Sequence, residues 1–267
     1  MPTILPRRVS LRDAWERLRQ RPLRDWPAFA AAKFRWIVGG ALARRFDRRH
    51  RVDTGGVLRR DQMTAISERG AAGGADYVAT SPWTFRSALS RIPERDFSEF
   101  AFIDFGCGKG RPMLLAAAGW NFDRVIGVEH SPELAAIAAR NVRDWRGRRS
   151  ARQVEALCAD ALTFPMPALP YVLYLFGPFG GNLQLVRQML DHLTADLHAR
   201  PRRAYIVYVD GVTEQLPDAV MRSAGFVALT RPGGERRRFD PGILTVKTHF
   251  AVYRHDPNHG ADEHPPK

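Results

Sequence analysis

Residues 101–111 read Ala-Phe-Ile-Asp-Phe-Gly-Cys-Gly-Lys-Gly-Arg. The apolar run from Phe102 to Phe105 predicts a buried strand, interrupted by one acid, Asp104. Gly106, Gly108 and Gly110 predict a tight turn after it. Pro112 suits the first turn of a helix, where its missing N–H has no intrahelical partner. Met113 to Ala118 is apolar and helix-forming. The order is therefore strand, glycine turn, helix. Such a turn brings bare backbone close to a ligand, and the helix start offers free N–H groups.

A dinucleotide fingerprint needs G-x-G-x-x-G/A, whose third small residue lets helix pack on strand. Counted from Gly106 that position is Arg111, and from Gly108 it is Met113, so both readings fail. The pattern present is D-x-G-x-G-x-G. It resembles motif I of the class I S-adenosylmethionine-dependent methyltransferases. The resemblance implies that Asp104 lies near the amino end of the cofactor's methionine moiety. It also implies that the backbone of Gly106, Cys107, Gly108 and Gly110 closes on the cofactor.

Two more strand ends extend it. Arg124–Glu129 is a short apolar strand ending in an acid. A carboxylate there can accept both ribose hydroxyls of an adenosine. His130 either flanks the adenine or is a solvated loop residue. Residues 153–158 alternate like a strand and lead into Ala159-Asp160-Ala161. The resemblance implies that the Asp160 side chain accepts from the adenine amine and that the Ala161 N–H donates to the ring. Cys158 reads as a buried filler.

The acceptor side is less regular. Residues 170–176 form a long apolar run, as expected of a central parallel strand covered on both faces. Its exit, Phe176-Gly177-Pro178-Phe179, stands where amino-methylating members carry N/D-P-P-Y/F. The polar side chain is missing, which leaves the carbonyls of Phe176 and Gly177 to orient a nucleophile. Phe176 and Phe179 could form an apolar or cation–π wall. Upstream, Tyr77-Val-Ala-Thr80 is similar to the Y-x-P-T/S element of a bacterial group related to the lysine methyltransferases that modify an ATP synthase subunit. Ala79 replaces that proline. Tyr77 and Thr80 are either ligand contacts or a packed ring and a helix cap.

The remaining elements complete an α/β, Rossmann-like, seven-stranded methyltransferase sheet with helices on both faces. Helices are predicted over about 82–92, 112–119, from Ser131, over 183–197 and near 214–223. Further strands are predicted over 203–210, 226–230 and 241–253. The last two are joined too closely for a helix, so they should pair as an antiparallel hairpin.

The first 60 residues hold 16 basic and 5 acidic side chains, and the rest hold 25 and 23. The net +13 thus belongs mainly to an N-terminal arm. Capping signals and apolar spacing predict helices over about 10–22 and 27–46 there. They pack on the main domain, meet a membrane surface, or form a dimer interface. The arm's charge is a solvated face or suits an anionic partner, a membrane surface or nucleic acid. Residues 52–75 read as a glycine-punctuated linker. The expected organisation is a basic helical extension (1–65), an S-adenosylmethionine-binding domain (66–255) and a disordered tail (256–267). Two cysteines without metal spacing, and no signal peptide, fit a cytoplasmic or membrane-peripheral protein. The expected activity is methyl transfer to an unidentified acceptor, with an amine such as a protein lysine favoured. The alternative is a non-catalytic cofactor-binding module.

Overall fold

The computed structural model describes residues 40–67, 74–210, 217–230, 235–237 and 248–256. The helix predicted over 10–22, most of the one over 27–46, and nearly all of the tail lie outside them. Residues 40–50 form helix α1. Two short strands, β1 (Val57–Leu58) and β2 (Tyr77–Val78), pair antiparallel. The main sheet then begins with α2 (Pro82–Leu89), β3 (Ala101–Phe105), α3 (Arg111–Gly119), β4 (Arg124–Glu129) and α4 (Pro132–Asp144). It continues through β5 (Gln153–Cys158), β6 (Tyr171–Phe176), α5 (Leu183–Ala199), β7 (Ala204–Asp210), α6 (Asp218–Ser223), β8 (Phe226–Ala228), β9 (Glu235–Arg237) and β10 (Thr248–His255).

Strand order is β5-β4-β3-β6-β7-β10-β8, with β9 paired to β10. The pairs along β5, β4, β3, β6 and β7 are parallel, and β10 runs antiparallel to β7, β8 and β9. This is the Rossmann-like order with one reversed strand that the sequence predicts. The expected pairing of the last two strands is present as Phe226 opposite His255 and Ala228 opposite Tyr253. Strand β9, in the connection between them, is an addition to that expectation.

Successive residues of the central strands serve opposite faces. Ile103, Leu173 and Ile206 pack with Met189, Leu190 and Leu193 of α5 on one side. Phe102, Tyr174 and Val207 pack with Phe85 of α2 and Met113 of α3 on the other. Both faces are covered, which is why these strands are apolar throughout. Ser81 caps α2 through Trp83 N–H, and Ser131 caps α4 through Leu134 N–H.

Two expectations change. Cys158 is exposed, because β5 is the edge strand of the sheet. The stretch 52–75 is no free linker where it is described, since residues 53–67 bond to α3, α4 and the strand tips.

Candidate active site

Open α/β sheets bind ligands outside the carboxyl ends of their parallel strands. There this sheet has a cleft of about 1040 Å³, open solvent at its mouth included. Asp104, Gly106, Cys107, Gly108, Glu129, His130, Asp160 and Ala161 all line it, as do Tyr77, Thr80 and Phe176 to Phe179. The structure thus brings together every residue singled out from the sequence except Gly110, which is buried at the N-cap of α3.

The turn after β3 is left-handed at Gly106, Gly108 and Gly110. Gly108, at φ 56°, has a second constraint: a Cβ there would lie 2.3 Å from Cε2 of Tyr77. The Tyr77 ring fills the space a side chain would need. Glu129, buried at the tip of β4, holds the turn from the other side. One carboxylate oxygen accepts from Gly108 N–H at 2.8 Å and the other from Ser131 N–H at 2.9 Å. His130 Nδ1 lies 3.2 Å from that second oxygen, and this bond raises the imidazole pKa against the opposing effect of burial.

Asp104 is buried, and its Oδ2 has no hydrogen-bond partner among the described residues. Burial, reinforced by Glu129, holds its carboxyl pKa well above the usual range. An unsatisfied buried carboxyl in a cleft is costly unless a ligand completes it. Burial also pushes the Cys107 thiol up, so it is no thiolate at neutral pH. Asp160 accepts from Leu162 N–H (2.9 Å) and from Ser67 Oγ (3.2 Å).

On the acceptor side, the chain leaves β6 through a second left-handed turn. Gly177 has φ 52° and Phe179, a non-glycine residue, φ 53°. Gly177 N–H donates to Val209 O at 2.8 Å, and Gly180 N–H to Gly177 O at 3.3 Å. The Gly177 carbonyl, expected to be open for a nucleophile, therefore already accepts one bond. The Tyr77 hydroxyl donates to Thr54 O at 2.8 Å, and burial raises its pKa far from neutrality. It contributes a wall, not a base.

The sequence reading missed the strap over the cofactor side. Met63 and Asp76 line the cleft. Thr64 Oγ1 donates to Glu133 at 2.6 Å, and Ile66 N–H donates to His130 O at 3.2 Å. Lys109 and Arg111 carried the missed signal. Charged residues in a glycine turn that folds into the core need partners, and theirs are Asp53, Thr54 and Asp47.

Residues 102–196 match the family model described as a methyltransferase domain. A trans-aconitate 2-methyltransferase of Streptomyces avermitilis is 33% identical over 111 residues, which are 42% of this chain and 39% of that protein. The chain therefore matches less than half the length of this relative. Among solved structures, a magnesium protoporphyrin IX methyltransferase from Synechocystis aligns at TM-score 0.47 and 14% identity, over 66% of this chain and 83% of that one. A precorrin-6y C5,15-methyltransferase from Geobacter metallireducens aligns at TM-score 0.43 and 15% identity, over 76% and 100%.

Proposed function

We propose that this chain, which carries a class I S-adenosylmethionine-dependent methyltransferase domain, transfers a methyl group from that cofactor to an amine nitrogen, such as that of a protein lysine. The observation that carries the reading is the set of three acids at consecutive strand ends. Asp104, Glu129 and Asp160 line one cleft with the glycine turn, and Asp104 has an unsatisfied oxygen. The donor set fits the cofactor: Asp104 would hold its ammonium end, Glu129 its ribose and Asp160 its adenine.

When bound, the cofactor supplies a methyl group on a cationic sulfonium. The chain's part is placement. The walls of Phe176, Pro178 and Phe179 exclude water from the acceptor side, and backbone carbonyls there orient the amine. An apolar wall also disfavours the ammonium form, so the incoming nitrogen sheds its proton more readily. Asp76, Glu129 and Asp160 give the cleft a negative field. That field favours a cationic cofactor and a neutral or basic acceptor, and it opposes a carboxylate such as trans-aconitate.

The test is incubation with radiolabelled cofactor and fractionated lysate, alongside trans-aconitate. Methyl-lysine released on hydrolysis of labelled protein is the expected result. Label confined to lipid or small molecules, or transfer to trans-aconitate, refutes the amine. For the basic arm we propose an anionic partner, a membrane surface or nucleic acid. Its signature is binding that weakens steeply with salt. Among the described residues no helix is long and apolar enough to cross a membrane.

A further inference from the structure

Thr54 is fully buried, before the segment that matches the domain family, and four hydrogen bonds meet on it. Its N–H donates to Asp47 Oδ2 at 3.1 Å and its hydroxyl to Asp47 Oδ1 at 2.5 Å. The same hydroxyl accepts from Arg111 Nε at 2.8 Å. Its carbonyl accepts from the Tyr77 hydroxyl at 2.8 Å. Arg111 is the residue after Gly110, and Tyr77 is the ring against Gly108. One residue thus reaches the glycine turn at its middle, through Tyr77, and at its helix end, through Arg111.

The neighbours reinforce this. The Arg111 side chain is almost wholly buried, 3.6 Å from Asp47 and over the Phe46 ring of α1. Lys109 Nζ donates to Asp53 Oδ1 and to Gly55 O, each at 2.9 Å. Asn141 of α4 donates to the carbonyls of both Asp53 and Lys109 at 2.8 Å. The two cations of the glycine turn are therefore spent on residues 47–55. What they hold is the shape of the turn.

We propose that Thr54 is a positioning residue for cofactor binding, acting on the glycine turn through Arg111 below and Tyr77 above. This rests on the reading of the cleft as an S-adenosylmethionine site. The physical argument is preorganisation. A turn with three left-handed glycines has many conformations when free, and ordering it on binding would cost affinity. Thr54 fixes the Tyr77 ring in the space beside Gly108. The Gly108 N–H then stays on Glu129, and the backbone is already in its ligand-binding form.

The test compares three variants by calorimetric titration with S-adenosylhomocysteine, alongside urea unfolding of the unliganded protein. Thr54→Val keeps the shape and removes the hydroxyl. Tyr77→Phe removes only the bond to the Thr54 carbonyl. Thr54→Ser restores the hydroxyl. The Phe variant loses one bond and should bind about fivefold more weakly, the Val variant loses the two bonds of the hydroxyl and should bind at least as weakly, and Ser should stay within about twofold of the parent. Reduced stability with unchanged affinity in both variants makes Thr54 a structural residue only and overturns the proposal. If the Val variant does not fold, Tyr77→Phe decides alone. A parent protein that fails to bind S-adenosylhomocysteine refutes the reading of the cleft instead, which keeps the two failures apart.

Discussion

Two glycine turns leave neighbouring strands of one sheet and are held in opposite ways. The turn after β3 is gripped from outside: Glu129 on Gly108, Asn141 on the Lys109 carbonyl, Asp53 on Lys109, Thr54 on Arg111, Tyr77 against Gly108. The turn after β6 is held by backbone bonds to its own residues and to Val209, and a Cβ on Gly177 would meet nothing within 4 Å. The first turn has one shape to keep, suited to a ligand that does not vary. The second has room.

The harshest way to break this contrast is to remove the outside grip. Deleting residues 1–60 takes away Asp47, Asp53, Thr54 and Gly55, which both pair and cover Lys109 and Arg111. The glycine turn then loses every bond that this segment makes to it. The expected outcome is a protein that is insoluble or unfolds at low urea. A soluble truncation binding the cofactor at parental affinity would show that the grip is dispensable.

A narrower strike is Gly108→Ala. The new methyl must displace the Tyr77 ring from 2.3 Å, at a φ of 56° that disfavours any side chain. The left-handed penalty alone is about 1–2 kcal/mol, and the overlap adds to it. Urea unfolding should show a loss of at least about 2 kcal/mol, and titration should show little cofactor binding. Full binding would mean that the ring is free to move and that the turn is not fixed by it.

Asp104→Asn separates ligand binding from stability. The folded-state pKa of Asp104 is raised, so the folded protein holds this proton more tightly than the unfolded chain does. A carboxyl of that kind stabilises nothing as it ionises. The unliganded protein loses stability as pH rises from the unfolded pKa, about 4, towards the raised folded value. The Asn variant lacks that loss, so its unliganded form should be the more stable of the two at neutral pH. Its affinity for S-adenosylmethionine should nonetheless fall about tenfold, since a charge-assisted bond to a cation is gone. Parental affinity in the Asn variant would remove Asp104 from the cofactor site.

These expectations show where sequence reading stops. The apolar runs of β3, β4, β6 and β7 and the acids Asp104, Glu129 and Asp160 at the tips of β3, β4 and β5 are local patterns, and the residues that line the cleft at those strand tips were legible from them. Residues 53–67 were not, because the partners that tie them to the sheet and its helices lie 54–93 positions away, as in Lys109 with Gly55 and Asp160 with Ser67. Glycine-rich and polar, that stretch reads locally as a linker. Strands of two or three residues, such as β1, β2 and β9, carry too little pattern to be seen before their partners are known. Cys158 was misplaced for the same reason: its exposure follows from the position of β5 at the edge of the sheet, which no local pattern reveals.

The gentlest test falls on the second turn. Gly177 sits at φ 52° and ψ 48°, in the left-handed region that asparagine tolerates better than other side chains. With open space around its Cβ, Gly177→Asn meets no clash. The folded protein should lose no more than about 1 kcal/mol in urea unfolding. Affinity for S-adenosylhomocysteine should match the parent, because every bond that shapes the first turn is untouched. The added amide oxygen supplies a side-chain acceptor beside the Phe176 and Gly177 carbonyls. If orientation of an amine limits the rate, turnover is retained or rises, and the change appears in kcat rather than in cofactor affinity. A loss of cofactor binding would show that the two turns are coupled, and the contrast between them would fail. Unchanged cofactor binding with abolished methyl transfer would instead place a group bulkier than an amine against Gly177.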